Sequence, residues 1–137
     1  MKTRTLILTL LALTFAVTAP SPGTASTERK KRYSAQLISP RPGDVLRAGQ
    51  VVRVEWTADF PDVDLTMCET EVMLSVDGGM TYTFITSQRD PRVQHFDWTV
   101  PKTPTRTAVL DIRFGCMNIF AETSSRQLQS AFVISPN

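Results

Sequence analysis

Histidine is almost missing from this 137-residue chain, and no long apolar run follows its first two dozen residues. His95 is the only imidazole, so no histidine-centred metal spacing can be built from it. Ser130 or Thr99 would have to pair with that one histidine to form a nucleophile, and no Gly-x-Ser-x-Gly elbow is present. Carboxylates spaced by two, Asp62 with Asp64 and Glu69 with Glu71, read as solvated charges rather than as two acids set across a cleft. An enzyme is therefore not expected, and neither is a metal site or a cofactor. An excess of one charge is lacking as well. From Ser26 onward there are 13 basic and 13 acidic residues, which leaves no global field to steer the chain onto nucleic acid or an anionic membrane.

What is present begins with a leader. Lys2 and Arg4 precede a largely apolar stretch from Leu6 to Val17, and Gly23-Thr24-Ala25 offers the small-x-small pattern that signal peptidase accepts. Residues 1–25 are expected to be a signal peptide, too short for a membrane span of about 20 apolar residues. The remaining length suits one domain. Arg29, Lys30, Lys31 and Arg32 form the only dense charge run, so residues 26–34 are expected to be a basic, solvated arm and a candidate partner contact. From Tyr33 onward the balance is acidic, with 9 basic and 12 acidic residues.

Residues 35–137 alternate with a period of two and are interrupted about every ten residues by Pro, Gly or Asp. Val52, Val54 and Trp56 share one face of a strand, and the same pattern returns at Val72 to Val76, Phe96 to Val100, Ala108 to Phe114, and Phe132 to Ile134. With Gln36 to Ser39 and Tyr82 to Thr86 this makes seven strands. The expected fold class is all-β, a seven-stranded immunoglobulin-like or fibronectin III-like sandwich. Asp77-Gly78-Gly79 marks a hairpin, because both glycines tolerate left-handed backbone. Ser75 and Asp77 can bond backbone donors in that turn, and Tyr82 can pack over the glycines.

Cys68 opens the third of these strands and Cys116 ends the sixth, both in phase with core residues. Those strands are antiparallel neighbours in such a sandwich, so a Cys68–Cys116 disulfide is expected in an exported protein. A competing reading takes Met67 and Met117, each next to a cysteine, and makes the four sulfurs a soft site for Cu(I) in an exported copper carrier. Adjacent strand residues point to opposite faces, which separates the methionines from the thiols. Met73 shares the outward parity of Met67, and a surface methionine patch is one outcome of that phase.

Several short motifs, in order, carry a resemblance. Ile38-Ser39-Pro40 with Gly43-Asp44, Ala48-Gly49-Gln50-Val51-Val52 leading to Glu55-Trp56-Thr57, and Phe96-Asp97-Trp98-Thr99-Val100-Pro101 are three of them. Ser75-Val76-Asp77-Gly78-Gly79-Met80-Thr81-Tyr82 and Ser130-Ala131-Phe132-Val133-Ile134 complete the series. Together they resemble the Kre9/Knh1-type immunoglobulin-like domains of secreted cell-wall and extracellular proteins. That resemblance implies a non-catalytic binding or accessory module that is secreted, periplasmic or at the cell surface, with a polysaccharide as partner; a protein partner is the other expectation. The hairpin also resembles the Asp-box of sialidase-like propellers, with Tyr82 where tryptophan is usual, although a single copy cannot build a propeller. Tyr33, Phe60 and Phe120 fall in arm or loop positions and are read either as contact aromatics for a partner or as packing onto the ends of the sandwich.

Overall fold

The computed structural model describes residues 32–136, so the expected leader and Arg29, Lys30 and Lys31 lie outside the described residues. Strong period-two segments become strands where expected. Among the described residues there are nine: β1 Ser34–Ser39, β2 Val45–Arg47, β3 Val51–Asp59, β4 Cys68–Ser75, β5 Thr83–Phe84, β6 His95–Thr99, β7 Thr105–Cys116, β8 Phe120–Thr123 and β9 Phe132–Ser135. The chain leaves β1 through a cis Ser39–Pro40 peptide. Seven of the nine match the periodic segments, and β2 and β8 are additional. Both are short: β2 has three residues behind a Pro-Gly turn, and β8 has one large apolar residue. Neither is long enough to show a period.

The strands form two sheets. One has the order β1-β3-β6; the other runs β2-β9-β7-β4-β5, with β8 added beside β7. β4 and β7 are antiparallel over the full register from Cys68↔Cys116 to Ser75↔Val109. β2 joins β9 in parallel. Side chains from the inner faces interdigitate between the sheets: Val54, Trp56, Val72, Leu110, Ile112, Phe132 and Ile134 are each at most 1% exposed. Trp56 meets Phe96 edge-on, and Trp98 meets Phe132 the same way.

Alternation fails along β4 and β7 in an informative way. Met73, Ser75, Val109 and Asp111 point away from the core but are buried. The loop after β4 folds back over part of this face: Gly78 N–H donates to the Thr107 carbonyl and Thr105 Oγ1 to the Val76 carbonyl. Tyr82 then lies under the Arg126 guanidinium, 5.4 Å from its carbon. A surface patch containing Met73 is therefore corrected, because Met73, paired with Phe84 of β5, is only 6% exposed.

The two lateral edges of the sandwich are closed by different chemistry. Along β1, residues 125–127 run beside β7 and turn their side chains onto the strand. Gln127 Oε1 accepts from Leu37 N–H at 3.0 Å, and its Nε2 donates to the Ala35 and Ser125 carbonyls at 3.0 and 2.8 Å. Ser125 Oγ accepts from Ala35 N–H at 3.1 Å. Along the other edge, Arg89 exchanges both backbone bonds with Thr70 of β4, and its Nη2 donates to the His95 carbonyl of β6 at 3.3 Å. The guanidinium lies over Phe96, 5.4 Å from the ring centre.

Candidate functional site

At one end of the sandwich the sequence builds a braced rim. Asp64 caps a 3₁₀ turn, Leu65–Met67, by accepting from Thr66 N–H at 3.0 Å, which turns the chain into β4. Those hydrogen bonds from Thr66 hold the Asp64 carboxyl below its ordinary value. Cys68 and Cys116 stand opposite one another and are joined in a disulfide. Just outside it, Met117 N–H donates to the Met67 carbonyl at 3.1 Å. The chain then reverses at Asn118, with φ 58°, into β8.

Below this rim lies an open groove of about 590 Å³, lined by Met67, Glu69, Glu71, Arg113, Met117 and Glu122 together with both cysteines. Gly115 forms part of its floor. A Cβ there would sit 3.2 Å from the Glu122 backbone, so any larger residue would have to push β8 back by a few tenths of an ångström. Arg113 ties the strands together, donating to Asp111 at 2.9 Å and to Glu122 at 2.7 Å. Glu71 has no such partner, and burial, then the Glu69 and Glu122 charges, push its carboxyl upward. Met67 and Met117 are 50% and 70% exposed, and Ile119 is 55% exposed beside them. Apolar side chains thus crown an acidic floor.

The expected site residues divide clearly. The cysteines pair as expected. That bond takes both sulfurs the copper reading needs as thiolate ligands, and among the described residues no free cysteine remains. In the hairpin, Gly78 and Gly79 adopt φ 73° and 94°. Ser75 Oγ accepts from Gly79 N–H at 2.8 Å and donates to Asp77, whose carboxylate also accepts from Met80 and Thr81 amides. Tyr82 closes over Gly79, where a Cβ would lie 3.1 Å from its hydroxyl. These five residues form a self-contained turn against β7.

Of the three candidate contact aromatics only Tyr33 is corrected, being buried; Phe60 and Phe120 are half-buried, and Phe120 also lines the groove. All three gather on Phe114, with ring centres 5.0, 5.0 and 5.6 Å from it, and make a second core under the disulfide. Tyr33 is only 7% exposed, and burial pushes its phenol well above the ordinary range. The basic arm is corrected at its end, because Tyr33 belongs to this core and Ser34 to β1; Arg32 is the one member of the basic run that is described, and it is exposed.

A second groove, of about 510 Å³, opens at the Arg89 edge between β6 and residues 85–87. Sequence reasoning missed its charged residues, Arg53, Arg89 and Asp97. Outward parity on β3 and β6 marks Arg53 and Asp97 as surface residues, but Arg89 sits in an aperiodic stretch with no local signal. Comparison with protein-family models and with curated proteins finds no match for this chain.

Proposed function

We propose that this chain is a secreted, non-catalytic binding or accessory module that works at the cell surface or outside the cell. One observation carries the reading: an open groove with an exposed apolar rim is fixed on rigid strands by a disulfide and a bridging arginine. A cross-strand disulfide suits an oxidising compartment. Exposed apolar side chains beside a polar floor are what a partner surface offers, an anchor inside a wettable margin. The partner in this reading is a cell-surface polysaccharide or protein, in keeping with the family resemblance of the strand motifs.

Co-sedimentation with cell-wall polysaccharide and cross-linking to surface proteins test the proposal, with the wild type beside a Met67→Glu/Met117→Glu double variant. Binding by the wild type that falls about tenfold or more in the variant, at unchanged melting temperature, is expected for loss of buried apolar anchors. Wild type and variant binding alike would overturn the assignment to this groove. Absence of any bound surface component would overturn the reading itself.

A further inference from the structure

The open-edge groove holds an unusual arrangement of charge for a domain that is acidic from Tyr33 onward. Arg89 is held before any ligand arrives: Phe96 supports its guanidinium, the His95 carbonyl accepts from Nη2, and its own backbone is locked to Thr70. Its Nε is buried with no partner among the described residues. Among the described residues the salt bridges are Arg92–Asp90, Arg113–Asp111 and Arg113–Glu122, so neither Arg89 nor Arg53 has a carboxylate within ion-pair distance. Arg53 stands directly across the strand pair from Asp97, yet the two side chains do not close on each other. Ser87 adds an exposed hydroxyl at the mouth.

A fixed guanidinium presents its donors as a planar fork, which matches the two oxygens of a carboxylate and loses little rotamer freedom on binding. Asp97 decides which kind of carboxylate. A simple anion would meet its charge at close range, whereas an acidic sugar brings hydroxyl donors that a carboxylate accepts. The two large apolar residues in the lining are both engaged, Phe96 under Arg89 and Ile85 against the core, so the groove is poor in the free apolar anchors that a protein partner would fill, while His95 leaves an exposed polar ring at its margin.

We infer that this groove binds a uronic-acid unit of an acidic polysaccharide. Arg89 and Arg53 hold its carboxylate, and Asp97 with Ser87 receives its ring hydroxyls. The inference rests on the reading of the chain as a binding module and adds a ligand class at a second site.

Calorimetric titration of the exported chain tests it with four probes: a short oligogalacturonate, a neutral cello-oligosaccharide of equal length, inorganic sulfate and a poly-glutamate peptide. Oligogalacturonate is expected to bind, well ahead of the other three. Arg53→Gln, at an exposed position, is expected to weaken it on the order of tenfold without moving the melting temperature, as loss of one charge-assisted contact does. Asp97→Asn is expected to weaken the sugar several-fold while leaving sulfate no weaker. Sulfate binding as tightly as the sugar would overturn the proposal in favour of an adventitious ion only, and tighter poly-glutamate binding would overturn it in favour of an acidic protein segment. An oligogalacturonate affinity untouched by Arg53→Gln would also overturn it. None of these results alters the outcome of the Met67/Met117 test, so failure here and failure of the binding-module reading are separable.

Discussion

The two edges of this sandwich solve one problem with opposite materials. Along β1 the unpaired backbone is met by a neutral amide, Gln127, that is 1% exposed and bonded through both ends of its side chain. Along β6 it is met by a cation that keeps part of its surface in water. Both arrangements blunt an edge that could otherwise pair with another chain. A satisfied buried amide leaves nothing for a ligand, because every donor and acceptor is spent inside the fold. The guanidinium seals with one donor and a ring face, and has donors to spare. The edge that is closed less completely is the one with the larger groove, about 510 Å³ against about 130 Å³ beside β1.

Four perturbations put this contrast to the test. The largest leaves both edges in place and removes what they share: the Cys68→Ala/Cys116→Ala variant should lose about 4 kcal/mol of stability in denaturant titration, from a cross-link between residues 48 apart. The cost of altering either edge should add to that loss, since neither touches the bond. Next, Gln127→Leu strands the Leu37 amide in the interior, leaves the Ala35 carbonyl to the Ser125 hydroxyl alone, and should cost about 2 kcal/mol by thermal or chemical melting. Arg89→Ala should cost only about 1 kcal/mol globally, yet hydrogen exchange should quicken along β6 and not along β1. Equal costs for Gln127 and Arg89 would erase the contrast.

The fourth perturbation is acid, and it acts on neither edge. The Ser75 hydroxyl, then the Thr81 hydroxyl and amide, hold the Asp77 carboxyl well below its ordinary 3.8. Its pKa is therefore lower folded than unfolded, so its contribution is complete above about pH 4 and drains away as pH falls further. In Asp77→Asn the fall in melting temperature between pH 4 and pH 2 should be shallower than in the wild type, with the smallest amplitude of the four.

Much of the sandwich is legible in the sequence because β3 and β6 are wet on one face and dry on the other. Val54, Trp56, Phe96 and Trp98 announce themselves by phase, and the cysteines fall in register with them. The turn at Asp77 is legible because its glycines and its acceptors are close in sequence. What escapes is long-range. Met73 and Val109 share the outward phase yet are buried by neighbours that no local pattern encodes. Gln127 sits in the polar run from Thr123 to Ser130, which reads as loop, while its side chain does the work of a strand ladder. Tyr33 looks like the tip of a basic arm and becomes core only because Phe60, Phe114 and Phe120 converge on it from elsewhere. The grooves have the same origin: Arg53 and Arg89 line one groove only after β6 pairs with β3 and the segment past β5 meets β6.

Among the described residues β2 has no sheet neighbour except β9, and the seam is fastened by Ser135, whose hydroxyl donates to the Leu46 carbonyl 89 residues away. A chain emerging in order from its first strand must therefore wait for nearly the whole domain before that seam can close. Early strands have only partial partners in the interval, and pairings between distant segments form slowly. For an exported module, as proposed, delay of this kind keeps the chain threadable through a narrow channel before it folds. It also makes the final strand the latch: shortening the domain by β9 should leave both β2 and one flank of β7 unpaired, converting a sealed sandwich into a template for aggregation.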